Sequence, residues 1–256
     1  MCLVVLGRYV PDLDVVLTLM SDRPALAADV AYYQRLIAMD RDEAPEIVEA
    51  ELPARGAAGV YDDVMIPALN YARRDRERGI LSHDPYAFVV RVSRALVDEV
   101  VAPAVAAAAA PSTLAPATRG RVLGCPARDE ADEVALHMLA DLLAPAGVAV
   151  DVVSAESLTA EVVAQAEHAR PACVCVATLQ PGGLAQTRYL VKRLRARFAD
   201  GCLLVGRWGV GGGPGDDAAT FLAAGATRAA TTLAATRDQV LELVPVAAVS
   251  PLARSA

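Results

Sequence analysis

The sequence lacks a long uncharged apolar run, although 55% of its 256 residues are hydrophobic. A helix that crosses a bilayer needs about 18 or more such residues in succession. The first twenty residues, MCLVVLGRYVPDLDVVLTLM, are apolar but are broken by Arg8, Pro11, Asp12 and Asp14. They could end a membrane helix or form a short docking helix, and they are too short to span alone. The sequence therefore predicts no membrane span.

Clusters of basic and aromatic residues are also absent. The formal net charge is −7, residues of both signs are interspersed, and aromatic residues make up only 4% of the chain. Proteins that bind nucleic acid usually carry a basic stripe or patch. We therefore predict no nucleic-acid partner.

Cysteine is scarce, and its five positions, Cys2, Cys125, Cys173, Cys175 and Cys202, have apolar surroundings. Five cysteines are too few for a disulfide scaffold in a chain of this length, so the sequence implies a reducing cytoplasm. The N-terminus also lacks the order of basic, apolar and small residues of a secretory signal. Cys173 and Cys175 share one face of a predicted strand, and burial as small hydrophobes is favoured over a metal or redox role because no histidine or second pair is nearby in sequence.

Residues 25–102 have the three- and four-residue apolar spacing of helices, as at Val89, Val92, Leu96 and Val100. Breaks are predicted at 53–59 and 79–85, so we expect a bundle of four helices. Residues 103–119 are rich in alanine and proline and have almost no large apolar side chains. This composition predicts a linker.

Residues 120–246 alternate short β-rich runs with amphipathic helices. The predicted strands are 121–125, 148–153, 172–177, 202–206 and 227–232, and the predicted helices are 129–144, 156–169, 184–198, 216–224 and 235–244. Five such units predict a parallel sheet with helices on both faces. The expected fold class is α/β, with a helical bundle followed by a flavodoxin-like, doubly wound five-stranded sheet in the order 2-1-3-4-5, and a tail at 247–256.

In a doubly wound sheet, ligands bind beyond the carboxyl ends of the strands where strand order reverses. Here that places a site at the loops 126–130 and 178–183. The glycine-rich loop 206–217, GRWGVGGGPGDD, borders the same edge and contains Trp208, the only tryptophan. A large aromatic side chain in a flexible loop there either lines a pocket or plugs it.

Common catalytic patterns do not match these loops. No lysine follows the glycines as a phosphate-binding loop requires, and the first loop has no dinucleotide fingerprint. The acidic cluster Asp129, Glu130, Asp132 and Glu133 is favoured by the dipole of the helix that it begins, and so does not by itself indicate catalysis. The histidines His83, His137 and His168 have no ligand spacing, so we predict no metal site.

The stretch 121–244 resembles cobalamin-binding domains. The preceding segments DRDEAPEIVE at 40–49 and YDDVMIPAL at 61–69 resemble the four-helix cap before such domains. The whole arrangement, from CLVVLGRYVP at 2–11 onward, is similar to the cytosolic C-terminal region of bacterial permeases of the autoinducer-2 exporter-like family. The resemblance implies a cytoplasmic location, peripheral to the inner membrane, and a membrane permease as partner.

The cobalamin family marks its site with D-x-H-x-x-G after the first strand, S-x-L after the third and paired glycines after the fourth. In this sequence the first motif keeps Asp129, but Ala131 stands at the cobalt-ligating histidine and Val134 at the glycine. The second motif is Ala177-Thr178-Leu179 and the third is Gly206-Arg207. The resemblance implies a fold retained after its ligand was lost or changed. The predicted degenerate ligand edge comprises Asp129, Ala131, Val134, Ala177, Leu179, Gly206 and Trp208.

Three hypotheses about function follow. The first is a non-enzymatic regulatory or ligand-sensing module without cobalamin, associated with a permease and open to a small-molecule ligand. The alternative is a cobalamin carrier or sensor that holds the cofactor without a histidine ligand. The third, an enzyme that uses Cys125 or Asp129, is disfavoured because no nearby histidine or lysine in the sequence would activate either group.

The first twenty residues also predict association. They include about eight large apolar side chains, and burying each is worth roughly 1.5–3 kcal/mol. We expect this segment to dock on the bundle, to pair with another copy of the chain, or to bind a membrane surface.

Overall fold

The structure, a computed structural model, describes residues 26–109, 120–209 and 216–244. The predicted N-terminal segment 1–24, the tail 247–256 and most of the predicted linker lie outside these ranges. Within them, every helix is too short or too polar to cross a membrane.

The N-terminal part is helical throughout. Helix α1 is followed by a continuous run of α2, one π-helical turn and α3, and then by a second run of α4, another π-helical turn and α5. Their bounds are Ala28–Ile37 for α1, Glu43–Val60 for α2, Tyr61–Met65 for the first π turn, Ile66–Glu77 for α3, His83–Leu96 for α4, Val97–Val101 for the second π turn and Ala102–Ala108 for α5. Gly79, at φ 72°, lies in the predicted turn between the two runs.

Two expectations for this part need correction. The predicted break at 53–59 is a kink inside α2, because Gly56 adopts φ 65° and ψ 174° while helix continues on both sides. The predicted linker begins later than 103, because α5 reaches Ala108. Alanine lacks core-forming bulk but is the best helix former, so the composition that predicts a linker also continues the helix.

The C-terminal part contains one parallel sheet with the strand order β2-β1-β3-β4-β5, which confirms the predicted fold class. The strands are β1 Arg121–Pro126, β2 Ala149–Val152, β3 Cys173–Leu179, β4 Cys202–Trp208 and β5 Arg228–Ala230. β3 and β4 pair from Cys173 opposite Cys202 to Leu179 opposite Trp208. Both strands therefore run past their predicted ends at 177 and 206.

Helices cover both faces of the sheet. They are α6 Glu130–Leu143, α7 Thr159–Ala169, α8 Leu184–Arg197, α9 Asp216–Ala223 and α10 Leu233–Leu243. The face under α6 and α10 shares one continuous apolar core with the helical bundle, whereas α7, α8 and α9 enclose a second core on the opposite face. The bundle is thus packed against the α/β part.

Candidate functional site

The carboxyl ends of β1, β3 and β4 meet at one edge of the sheet, at Pro126, Leu179 and Trp208. The strand order reverses between β1 and β3, so this is the edge where doubly wound sheets bind ligands. Helix α3 of the bundle lies against it, and the Asn70 amide donates a hydrogen bond to the carbonyl oxygen of Trp208 at 3.3 Å. The bundle therefore covers the predicted ligand edge.

Arg73 of α3 is the central contact between bundle and edge. Only 1% of this residue is exposed. One guanidinium nitrogen, Nη1, donates to the carbonyl oxygen of Leu179 at 2.8 Å. The other, Nη2, lies 2.8 Å from Asp132 Oδ1 and also bonds the Asp129 carboxylate. A single cation thus joins α3 to the end of β3 and to the start of α6.

The two acidic partners of Arg73 also organise the backbone around them. Asp129 caps α6 by accepting from the Ala131 amide at 3.1 Å, and it accepts from the Tyr86 hydroxyl at 3.1 Å. Asp132 is fully buried and accepts from the Leu179 amide at 2.8 Å and from the Arg128 amide at 3.0 Å. We refer to Arg73, Asp129 and Asp132 as the ionic latch.

Burial and charge act against each other in the ionic latch. Burial raises the pKa of Asp132 to about 6, although the Arg73 guanidinium beside it pulls the pKa down. Burial also opposes the charge of Arg73, but the carboxylates of Asp132 and Asp129 outweigh that effect and raise the pKa of Arg73. The latch is therefore one buried cation held between the side chains of Asp129 and Asp132.

Trp208 fills the neighbouring part of the edge. It ends β4, its side chain is 0% exposed, and its indole Nε1 donates to Thr236 Oγ1 of α10 at 2.9 Å. A Cβ at Gly206 would lie 2.2 Å from the indole Cζ2, so only glycine leaves room for the ring there. The expectation of a flexible loop at Trp208 is wrong, since the residue belongs to a buried strand, and of the two roles predicted for it the structure favours the plug.

The structure brings the seven predicted edge residues together. Ala177 and Leu179 end β3, Gly206 and Trp208 end β4, and the other three begin α6. Ala131, at the position that the resemblance aligns with the cobalt ligand, is 0% exposed, and Val134 is 4% exposed. Both pack into the core shared with the bundle.

Sequence reasoning missed Arg73, and Asp132 appeared only as a member of an acidic helix start. A signal for Arg73 does exist in the sequence. Ile66, Asn70, Arg73 and Glu77 follow the spacing of one helix face, and the first three are buried. An arginine on a buried face implies a buried acidic partner, but the sequence does not say which one.

A second anchor joins the bundle to α10. Asp62, in the first π turn, accepts from the backbone amides of Leu233 and Ala234 at 2.6 and 3.0 Å. These amides begin α10, where the helix dipole favours a negative charge. Burial raises the pKa of Asp62, and the two amide hydrogen bonds oppose that shift. Nearby, the Tyr61 hydroxyl donates to Asp141 Oδ2 of α6 at 2.7 Å.

The catalytic alternative receives no support from these surroundings. Cys125 is fully buried, and burial raises the pKa of its thiol, so it is not a thiolate at neutral pH. Asp129 is occupied by Arg73 and Tyr86. In the described part of the chain, no group of three or more histidine, cysteine, aspartate or glutamate side chains has the arrangement to hold a metal ion.

Several cavities lie beside the edge or further along the bundle. One of about 260 Å³ lies at the ends of β4 and β5, one of about 490 Å³ between α4 and the start of α6, and one of about 630 Å³ further away, between α2, α5 and the end of α6. At the ends of β3 and β4, Arg73 and Trp208 occupy the space and Ala131 offers no donor atom, whereas a cavity of about 180 Å³ lies beside the end of β1 at Pro126 and Arg128. The residues present therefore do not fit a corrinoid bound by a histidine at the position of Ala131.

Comparisons with solved structures give the fold a wider context. A monomethylamine corrinoid protein of Methanosarcina barkeri matches with a TM-score of 0.56 and 15% identity, over 83% of this chain and 96% of that one. At this identity, the likeness shows a shared fold. No protein-family model and no curated protein matches the sequence.

Two further structures match with lower scores. A cobalamin-binding protein of Desulfitobacterium hafniense has a TM-score of 0.41 and 15% identity, over 84% of this chain and 98% of that one. The methanol:cobalamin methyltransferase complex of Methanosarcina barkeri has a TM-score of 0.36 and 16% identity, over 92% of this chain and 89% of its own.

Proposed function

We propose that this protein is a non-enzymatic regulatory module in which a helical bundle closes directly on a degenerate cobalamin-binding edge. The observation that carries the proposal is the ionic latch. Arg73 bridges the bundle to Asp129 and Asp132 at the place where the fold would otherwise open to a ligand. Trp208 plugs the adjoining part of the edge with a hydrogen-bonded indole.

The bundle is the switching element of this proposal. Its docking depends on desolvated charges, on Asp62 at the start of α10 and on a shared apolar core. A buried ion pair is costly to form and costly to break, so it favours one defined docked geometry rather than a loose one. A ligand or partner that binds the undocked state would release the bundle as a unit.

A small molecule is the ligand class that suits this arrangement. The cavity of about 260 Å³ at the ends of β4 and β5 is too small for a corrin ring and has an apolar wall that includes Phe221. The polar side chains that line it are Gln180, Arg207, Asp217, Thr231 and Gln239. Gln239 Oε1 is buried beside this cavity and has no hydrogen-bond partner among the described residues.

The partner proposed for the module is a membrane permease, and the proposed location is cytoplasmic at the inner membrane. The support is the sequence resemblance to the cytosolic region of autoinducer-2 exporter-like permeases. In that role, docking and undocking of the bundle would be the signal passed to the membrane protein.

Hydroxocobalamin binding tests the central claim. We expect equilibrium dialysis to give no binding at micromolar cofactor, and the visible spectrum to stay that of the free cofactor. A variant with Ala131→His, Val134→Gly, Ala177→Ser and Arg207→Gly restores the residues of the three family motifs and is the matched comparison. If the unchanged protein binds the cofactor stoichiometrically, with its own base still attached, the alternative of a cobalamin carrier or sensor without a histidine ligand is correct.

A further inference from the structure

Two cysteines from different predicted strands come together at the amino-terminal end of the sheet. Cys173 begins β3 and Cys202 begins β4, and the parallel register places them directly opposite each other. Their Sγ atoms are 2.8 Å apart. Neighbouring strands are spaced at about 4.8 Å, within the range of Cα separations that a disulfide spans. This site is at the end of the sheet opposite to the ionic latch.

The two thiols differ in exposure. Cys173 is 1% exposed and packs into the core shared with the bundle, whereas Cys202 is partly exposed. Peroxides in solution therefore reach Cys202 first. Cys173 is held behind it, in contact and shielded from solvent.

The electrostatic surroundings make Cys202 the nucleophile of the pair. The hydrogen bond between the Cys173 and Cys202 thiols lowers the pKa of Cys202, and the cations Arg195 and Arg228 lower it further against the effect of burial. The same hydrogen bond, together with burial, raises the pKa of Cys173. Cys202 is thus the thiol of the pair that ionises more readily, and Cys173 is the one that holds its proton more tightly.

We propose that Cys202 and Cys173 are a peroxide-reactive thiol pair that closes to a disulfide between β3 and β4. The Cys202 thiolate attacks one oxygen of hydrogen peroxide, the O–O bond breaks, and the leaving hydroxide takes a proton to become water. The Cys173 sulfur then attacks the sulfenic acid at Cys202, the S–O bond breaks, and the second water leaves with the Cys173 proton. Two thiols are oxidised, one peroxide is reduced to two waters, and thiol reductants reverse the change.

Cys175 provides a matched control on the same strand. It lies two residues after Cys173 and is equally buried, but its register partner on β4 is Leu204. Cys175 therefore shares the burial of Cys173 but has no cysteine opposite it on β4. If proximity to Cys202 decides the chemistry, Cys175 is dispensable for it.

The test is peroxide treatment of the full chain, followed by alkylation of free thiols and mass-spectrometric mapping. We expect the loss of two thiols per chain, a peptide cross-link between Cys173 and Cys202, and complete reversal by dithiothreitol. Cys175→Ser should behave in the same way. Cys202→Ser should lose the reaction, and Cys173→Ser should stop at a sulfenic acid on Cys202 that dimedone traps.

Mapping of the unchanged protein is decisive even if a variant fails to fold. Absence of the cross-link in the folded protein, or its formation between other cysteines, would overturn the proposal. Alkylation rates give an independent measurement, because the thiolate is the reacting species. We expect Cys202 to react with iodoacetamide at least roughly tenfold faster than Cys173. Equal rates would contradict the assigned roles.

Discussion

Arg73 of the bundle and Asp132 of the α/β part lie 2.8 Å apart, with both side chains almost completely removed from solvent. They are 59 residues apart in the sequence. Breaking a buried ion pair by removing one partner is strongly destabilising, because the remaining charge stays buried and unpaired. Substitutions at Arg73 or Asp132 therefore test whether this ion pair stabilises the docked position of the bundle.

Replacing Arg73 should show how much the ionic latch contributes to the free energy of unfolding, apart from the stability of helix α3 itself. We expect Arg73→Met to lower the free energy of unfolding by about 3–5 kcal/mol, because Asp132 and Asp129 then lose their buried cation. Arg74→Met is the control, since Arg74 is exposed and lies over the Tyr71 ring. Urea denaturation followed by circular dichroism measures both. Equal costs for the two variants would show that the latch contributes nothing.

The pKa of Asp132 predicts a pH dependence of stability. The folded chain keeps a proton on Asp132 up to about pH 6, whereas the unfolded chain releases it near about pH 3.9. Between these values the folded state binds more protons, so the contribution of this group to stability falls as pH rises through that window.

The measurement is the difference in unfolding free energy between the unchanged protein and Asp132→Asn at several pH values. We expect the unfolding free energy of the unchanged protein to fall, relative to that of Asp132→Asn, by at most about 3 kcal/mol between pH 4 and pH 6.5. Above pH 6.5 the difference between the two proteins should stay constant. A shift of the opposite sign would mean that Arg73 outweighs burial at Asp132.

The contact of Gly206 with the indole predicts strong coupling between two substitutions. Gly206→Ala should cost about 1–3 kcal/mol by forcing Trp208 out of its position, and Trp208→Ala should cost about 3–5 kcal/mol through the cavity it leaves. In the Trp208→Ala background, Gly206→Ala should cost far less, because the clashing ring is gone. A double-mutant cycle measures this coupling, and additive costs would argue against the indole lying over Gly206.

Asp62 should stabilise the docked state through α10. We expect Asp62→Ala to lower the unfolding free energy by about 1–2 kcal/mol, because two amides at the helix start lose their acceptor. Asp63→Ala is the neighbouring control, since the Asp63 side chain is exposed and contacts Arg55. Thermal unfolding of the two variants decides the point. A larger loss for Asp63→Ala would contradict the assignment of Asp62 as the anchor.

Removal of residues 1–20 tests the predicted association of that segment. Because its large apolar side chains need cover, we expect the shortened chain to aggregate less, or to sediment less with anionic lipid vesicles, while the α/β part stays folded. Near-ultraviolet circular dichroism of Trp208 reports on that fold. Unfolding of the α/β part after the deletion would mean that the segment belongs to the fold itself.

The sequence by itself determined the architecture. Alternation of short apolar runs with amphipathic helices specified five βα units, because strand burial and helix periodicity are local properties of the chain. The strand order was predicted from the flavodoxin-like fold class, and the structure confirms it. The cobalamin-like motif positions, and the alanine at the ligand position, were also visible there. They located the edge at the start of α6 and at the ends of β3 and β4.

Only the tertiary structure decided what fills that edge. Arg73 reaches Asp129 and Asp132 because α3 docks on the sheet, and Cys202 meets Cys173 because two strands pair in one register. Trp208 is a buried plug rather than a loop residue because β4 extends under α10. Such contacts depend on how separate elements pack, and local periodicity carries no information about partners that distant in the chain.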